Sequence, residues 1–565
     1  MLEENRGGKI LAMYDIRGIQ RFIFRTNKVK EIKGASRIVE NIIEKALAHG
    51  LNAADIPQEQ YILSWENNEE LKILSDENMA AQVLFIGGGN AYVMYRDREL
   101  AVKVNKKMAR YVLDETYSLQ LAIAMVNKTE SYAKDYQSVQ NEMTRIKASM
   151  PYSGCLGAVP VVAVDDMTGF PYSLDGLDRL KEKPQFGEEN ESERLSYESI
   201  QKLLAYYESD KEGREKEHNS LITEYGKESI LAVVHMDGNN MGMRIRSLME
   251  GVEDYGEAVR KMRTVSKNIN DSFKKTFDET ADYIQDWVQS SEYKVLKKKV
   301  KGREVQYIRK ILVAGDDITF VCNAKLALPF VKHFIQLITG KVMFGEMTED
   351  NIEKYGFSIC AGMAYVHSHF PFHSAYEVAE ECCSFAKKRA KEENNKLVLD
   401  NNEERIANWV DFQICKSVHS IDLAKSRQKN YMLSQQEYLL RRPYYMEVNR
   451  ASYKEFNELN KEYSYKNFED ILEYFKDDSN MPHSLAKGFR NTYPLGKNAL
   501  DELIAFARSR KKLTGRIVEE TLSGSGKDFG FVELNGKKVA AWYDALEMMD
   551  YYISLERKVS KEEEA

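Results

Sequence analysis

The chain repeats itself, and the repeat limits the folds open to it. Leu11-Ala12-Met13-Tyr14-Asp15-Ile16-Arg17-Gly18 matches Leu231-Ala232-Val233-Val234-His235-Met236-Asp237-Gly238, with Leu-Ala at the same distance before the glycine. Further on, Leu84-Phe85-Ile86-Gly87-Gly88-Gly89-Asn90-Ala91-Tyr92-Val93 corresponds in character to Leu312-Val313-Ala314-Gly315-Asp316-Asp317-Ile318-Thr319-Phe320. A third apolar run, Leu121 to Val126, parallels Phe357 to Ala364. Apolar β-formers bounded by small-residue turns read as strands and hairpins, and helix-period segments lie between them. Two copies of one β–α–α–β–β–α–β unit are the economical explanation, so the fold class is α+β.

The rest of the chain fills in around the copies. At 565 residues, three or four domains are expected. The first copy occupies residues 1–150, a connector 151–228, the second copy 229–400, and a mainly helical C-terminal domain 401–565. The connector starts at Pro151, turns charged from Glu188 to Glu193 and carries a helix pattern from about Leu195 to Ser209. Beyond the polar run Asn401-Asn402-Glu403-Glu404, helical patterns recur at Phe468–Phe475 and Ala499–Ala507. There, Arg441-Arg442-Pro443-Tyr444-Tyr445 reads either as a nucleotide-stacking stretch or as core with snorkelling arginines. The tail from Lys558 to Ala565 reads as frayed.

Net charge is −7, so there is no overall basic signature for nucleic acid. The six cysteines are scattered and read as buried free thiols of a reducing compartment. No apolar run reaches the roughly 20 residues a membrane helix needs, and Met1 to Arg6 begins no signal peptide. A cytoplasmic protein without membrane contact is expected.

The chemistry concentrates in the second copy. In Ile311-Leu312-Val313-Ala314-Gly315-Asp316-Asp317-Ile318-Thr319-Phe320-Val321, two adjacent carboxylates sit at a hairpin tip, expected to be exposed. Neighbouring carboxylates repel unless a cation neutralises them, and hard oxygen ligands suit Mg²⁺ or Mn²⁺. An ordinary solvated Gly-Asp turn is the alternative. Asp237 ends a buried strand just before a helix, where phosphate and metal chemistry is commonly placed, although a plain helix N-cap would look similar. With Asp316 and Asp317 it would form a three-carboxylate metal site, the palm arrangement of nucleotide polymerases and cyclases. The Gly238-Asn239-Asn240 turn, like Gly315 at the hairpin tip, would present backbone N–H groups to phosphate.

Three features resemble the large palm-domain subunit of type III CRISPR effector complexes. The first is Gly18-Ile19-Gln20-Arg21-Phe22-Ile23-Phe24 with Lys33-Gly34-Ala35-Ser36. The second pairs Asp237-Gly238-Asn239-Asn240-Met241-Gly242 with Ala314-Gly315-Asp316-Asp317. The third is Phe357 to Ala364, then Phe370-Pro371-Phe372, then a helix ending Ala386-Lys387-Lys388. The resemblance covers roughly residues 1–420. It implies two ferredoxin-like palm domains of the GGDEF and nucleotide-cyclase kind. It also implies ATP as substrate, a cyclic oligoadenylate as product, and Lys387 as a phosphate-binding lysine. A solvated helix face is the alternative for Lys387. Guide and target RNA, effector-complex subunits and a downstream cyclic-nucleotide effector are the implied partners.

The chain also departs from that family. Ala314 stands at the first glycine of the usual Gly-Gly-Asp-Asp tip, and Asn239 at the second acid of the usual Asp-Gly-Asp turn. No His-Asp pair and no Cys-x-x-Cys occurs, so the HD nuclease and zinc ribbon of many relatives are not expected.

Aligning the glycines of the copies sets Arg17 opposite Asp237, and aligning the hairpins sets Gly89 and Asn90 opposite Asp316 and Asp317. The first copy is then a degenerate palm that holds the acceptor nucleotide, with Arg17 either a triphosphate fork or a surface salt-bridge partner. His367, His369 and His373 read as structural, loop or base-stacking residues before a zinc site. The expected function is an ATP-dependent nucleotidyltransferase making a cyclic nucleotide or oligonucleotide messenger in antiviral defence. The alternative is a non-catalytic RNA- or protein-binding scaffold subunit of such a complex.

Overall fold

The computed structural model describes residues 8–66, 70–87, 89–151, 161–183, 186, 194–209, 221, 230–290, 299–300, 303–304, 307–394, 407–416, 422–510 and 530–555. Residues 152–160 of the connector, Cys155 among them, the charged stretch 188–193, the run 401–404 and the tail 558–565 lie outside them.

The first copy builds a sheet of β1 (Ile10–Arg17), β2 (Tyr61–Ile62), β3 (Ala81–Gly87), β4 (Asn90–Tyr95) and β5 (Gln120–Asn127), ordered β2-β3-β4-β1-β5. The second copy begins with β6 (Ile230–Gly238). A short ribbon of β7 (Lys299–Val300) and β8 (Arg303–Glu304) precedes β9 (Ile308–Ala314), β10 (Asp317–Asn323) and β11 (Ile359–His367). Their order β11-β6-β10-β9 repeats β5-β1-β4-β3, and all these pairings are antiparallel. Each copy is thus ferredoxin-like.

Continuous apolar runs make the central strands because both faces are covered. Along β6, Ala232, Val234 and Met236 enter one core while Leu231 and Val233 enter another, as the two-residue period of a strand requires. Helices Val29–Asn52 and Tyr255–Ser290 fill corresponding places between the first and second strands of each copy. Helices Tyr132–Ser149 and Phe372–Asn394 follow the last strands. Gly362 lets the latter helix lie directly on β11: a Cβ there would stand 2.0 Å from Ala379 O.

The two hairpins match in register. Asn90 pairs with Gly87 and Asp317 with Ala314, and after three pairs each hairpin carries one unpaired residue, Leu84 or Ile311. Such an extra residue is a β-bulge. Across to the central strands, Ala91 pairs with Tyr14 and Ile318 with Met236. Four residues after each of those partners, the copies agree again. Gly18 (φ 87°) and Asn240 (φ 51°) each adopt the left-handed conformation at a helix start.

The second sheet runs past residue 400, where the sequence reading ended the second copy. The segment after the described break supplies β12 (Asn408–Ile414), parallel to β11; β13 (Glu437–Tyr438) follows, and then β14 (Tyr444–Met446), which pairs with β12. The remainder is mainly helical, with Tyr465–Lys476, Lys497–Ser509 and a small sheet of β13, β15 (Phe531–Leu534) and β16 (Lys537–Ala540). The basic-aromatic stretch is core and not a stacking platform. The Arg442 guanidinium is enclosed 4.2 Å over the Phe412 ring and ion-paired to Glu547 at 3.3 Å. The expected connector helix is Tyr197–Ser209. Cys322, Cys360, Cys382, Cys383 and Cys415 are free thiols. Among the described residues no helix is long and apolar enough to cross a membrane.

Candidate active site

Backbone geometry brings Asp237, Asp316, Asp317 and Lys387 together. The tip turn places its positive φ of 64° on Gly315, while Ala314 is an ordinary strand residue paired with Asp317. Replacing the first glycine of the usual tip by alanine therefore costs no backbone strain. Asp316 folds back against the end of β6. A Cβ on Gly238 would meet Asp316 Oδ2 at 2.7 Å, so any larger residue would push the Asp316 side chain from its place. Lys387, held one helix away by the close approach at Gly362, ion-pairs with Asp237 and donates to Gly238 O at 3.2 Å.

The expected exposed tip is instead half-buried. Both Asp316 and Asp317 line a cavity of about 1350 Å³ that is also lined by Gly89, Gln20 and Ser36 of the first copy. Burial, reinforced by the charge of Asp237, raises the Asp316 pKa from 3.8 to about 6. Burial, with the charges of Asp237, Asp316 and Glu380, raises Asp317 from 3.8 to about 8. Burial works to lower the Lys387 ammonium, but the charge and hydrogen bond of Asp237 overcome it and hold the lysine above its usual value. One cation thus faces three carboxylates. Asp317 Oδ1 has no hydrogen-bond partner, and His235 Nδ1 stands 3.5 Å from it. His235 is neutral, its pKa lowered to about 4 by burial.

Sequence reasoning missed three neighbours of this cluster. Gln20 of the first copy reaches Asp317 Oδ2 at 3.5 Å, His235 lies one strand period before Asp237, and Glu380 lies two helical turns before Lys387. The periodicities of strand and helix were the available signals for the last two.

Three expectations are corrected. Asn239 does not face the cluster: its N–H donates to Ser358 O at 2.9 Å and its side-chain amide to Ala407 O at 3.1 Å, so it pins the turn to the sheet. Asn240 provides the left-handed helix start. Arg17 does not stand opposite Asp237. The ladder registers make Asp15 the counterpart of Asp237 and set Arg17 level with Asn239, where its guanidinium donates to Met150 O at 2.6 Å. The first copy therefore keeps one acid, and keeps its cation too. Lys147 ion-pairs with Asp15 as Lys387 does with Asp237, and each lysine lies fifteen residues into its helix. The hairpin acids alone are missing, replaced by Gly89 and Asn90.

Among the described residues no three His, Cys, Asp or Glu side chains converge closely enough to hold a metal ion as they stand. The histidines behave accordingly: His373 pairs with Glu377 at 3.2 Å, and His367 and His369 stand ring to ring at 5.6 Å. The acid cluster nevertheless fits a divalent cation in donor type. Its oxygens are hard, one is orphaned, and burial with neighbouring negative charge raises the pKa of both hairpin carboxyls, which a cation would reverse.

Residues 230–398 match the family model described as Cas10/Cmr2, second palm domain. Among solved structures, a Csm1–Csm4 cassette in complex with pppApA is 13% identical, covering 97% of this chain and 70% of that one at a TM-score of 0.47. Csm1 of T. onnurineus is 15% identical, covering 92% and 69% at 0.41. The chain spans about half the length of the matched chain in the AMPPNP complex of the cassette, 54%, at 15% identity and a TM-score of 0.39. No curated protein matches. The segment that carries the acid cluster and Lys387 is thus similar to a Cas10/Cmr2 second palm domain.

Proposed function

We propose that the chain is an ATP-dependent nucleotidyltransferase that makes a cyclic nucleotide or oligonucleotide messenger in CRISPR-type antiviral defence. The carrying observation is a charge-starved acid cluster, Asp237, Asp316 and Asp317, on the wall of a cavity that the other palm closes. At about 1350 Å³ the cavity exceeds the about 300–1,000 Å³ of a single-ligand pocket, which suits a donor and an acceptor nucleotide together.

Asp237, Asp316 and Asp317 would hold Mg²⁺ or Mn²⁺. When bound, such a cation would lower the pKa of an attacking ribose hydroxyl and stabilise leaving pyrophosphate. Lys387 changes partner from Asp237 to a phosphate oxygen when the acids take up a cation. Gly238 leaves room for Asp316 beside the strand end, and Gly315 lets both acids share one tip. The first palm holds the acceptor with Lys147 as its cation, released from Asp15 in the same way. His235 and Thr319, 3.3 Å apart, brace the floor beneath Asp317. Adenine as the base, an RNA trigger, effector-complex subunits and a downstream cyclic-nucleotide effector follow from the family resemblance.

The test is incubation of the purified chain with Mg²⁺ or Mn²⁺ and each nucleoside triphosphate, products identified by mass spectrometry. Cyclic product from ATP, lost in the Asp316→Ala/Asp317→Ala variant, is expected. Full activity in that variant would move the chemistry elsewhere, and a wild-type chain inactive alone and with RNA and partner subunits would favour a scaffold.

A further inference from the structure

Each hairpin bulge is hydrogen-bonded from the opposite palm. A bulged residue leaves its carbonyl outside the ladder. In the second palm that residue is Ile311, and its carbonyl accepts from Ser36 Oγ on the first palm's helix Val29–Asn52. In the first palm it is Leu84, whose carbonyl accepts from Arg263 Nε at 2.5 Å, on the second palm's helix Tyr255–Ser290. Arg263 also reaches Val83 O at 3.3 Å. The two contacts are related by the internal repeat: same bulge, same carbonyl, corresponding helices. Both bulges lie five residues before the tip position, Asp316 or Gly89.

The surroundings leave these contacts little slack. Gly87 approaches the Arg263 helix so closely that a Cβ would stand 3.1 Å from Ser266 Cβ. A buried carbonyl must be satisfied, so losing either donor lets its hairpin shift to find another partner. Both tips face the shared cavity, so a shift of either one alters the gap between the nucleotides that the proposed function places there.

We propose that Ser36 and Arg263 are reciprocal positioning residues: each holds the other palm's hairpin by its bulge carbonyl, and together they set the distance between the acid tip and the acceptor tip. Neither needs to touch nucleotide. Misplacing reacting groups by about 1 Å can lower turnover about 100-fold while leaving ground-state binding almost intact.

The turnover arm of the test rests on the proposed function, and a hydrogen-exchange arm does not. In the full chain, Ser36→Ala is expected to lower kcat at least tenfold with KM for ATP changed less than twofold, and Ser36→Thr to restore it. Amide exchange is expected to quicken across 308–323 and not across 81–95. Arg263→Ala removes a buried side chain and endangers folding, so Arg263→Lys, which keeps one donor, is the companion; it should quicken exchange across 81–95 and not across 308–323. Wild-type kcat in Ser36→Ala, a raised KM at unchanged kcat, or equal quickening of both hairpins would each overturn the proposal. If wild type makes no product under any condition, the proposed function falls and the exchange pattern still decides the clasp.

Discussion

The two palms share one backbone plan and differ in the side chains at the hairpin tip. They share strand order, bulge position, a left-handed helix start and an Asp–Lys pair. They differ at the hairpin tip, where Asp316 and Asp317 stand in one and Gly89 and Asn90 in the other. The tip backbones differ as well. Gly89 has φ 77°, a conformation that penalises any side chain, whereas Asp316 is outside the left-handed region. The first palm is therefore shaped against carrying the acid pair and yet keeps the lysine, Lys147, paired with Asp15, which is what the proposed division into acceptor and donor sites requires.

The sharpest way to break that comparison is to remove the acids. Asp316→Ala/Asp317→Ala should reduce turnover to background in the mass-spectrometric assay while circular dichroism and the unfolding midpoint show a folded chain. Residual wild-type activity would mean the palms do not differ in chemistry.

The shared lysines give the next largest effect. Lys387→Met should lower kcat by about 100-fold, and Lys147→Met should chiefly raise KM for the acceptor, by about tenfold, measured by steady-state kinetics with ATP. If both variants change the same parameter, the two palms do not divide donor and acceptor.

Titration separates them more gently. A carboxyl whose pKa is raised on folding binds more protons in the native state, so it weakens the fold as pH rises from its unfolded value toward its folded one. For Asp317 that window runs from about 4 to about 8. Without divalent cation, Asp317→Asn should unfold at a higher temperature than wild type at pH 8, and the gap should close toward pH 4. Added Mn²⁺ should narrow it by stabilising wild type alone. A gap independent of pH would remove the buried-charge account.

The smallest effect is expected at Arg17. Its guanidinium is bonded to Met150 O, level with the structural Asn239 and away from Lys147's acid. Arg17→Ala should cost about 1 kcal/mol in denaturant unfolding and leave nucleotide binding by calorimetry unchanged. A large loss of affinity would return Arg17 to the acceptor site.

The Arg17 correction shows what pattern can and cannot resolve. Matching Leu11-Ala12 to Leu231-Ala232 aligned the copies two residues away from the true register. A shift of two keeps every side chain on its own face, so hydrophobic alternation is blind to it. Only the ladder from the hairpin across to the central strand separates the two alignments, and it substitutes Asp15 for Arg17. Asn239 escaped for a similar reason. Its partners, Ser358 and Ala407, are over a hundred residues away and carry no local signal.

Sequence alone determined the repeated unit, the strand–turn–helix at Asp237, the hairpin of Asp316 and Asp317, and the helix that carries Lys387. These are local matters of periodicity, turn glycines and apolar runs, written within a few residues of where they act. Tertiary structure decided which acid faces which, that the tip is enclosed, that β12 and β14 extend the second sheet, and that Ser36 and Arg263 reach across to the opposite bulges. Those follow from packing two copies face to face, where partners meet through space and the intervening chain length leaves no trace in the pattern.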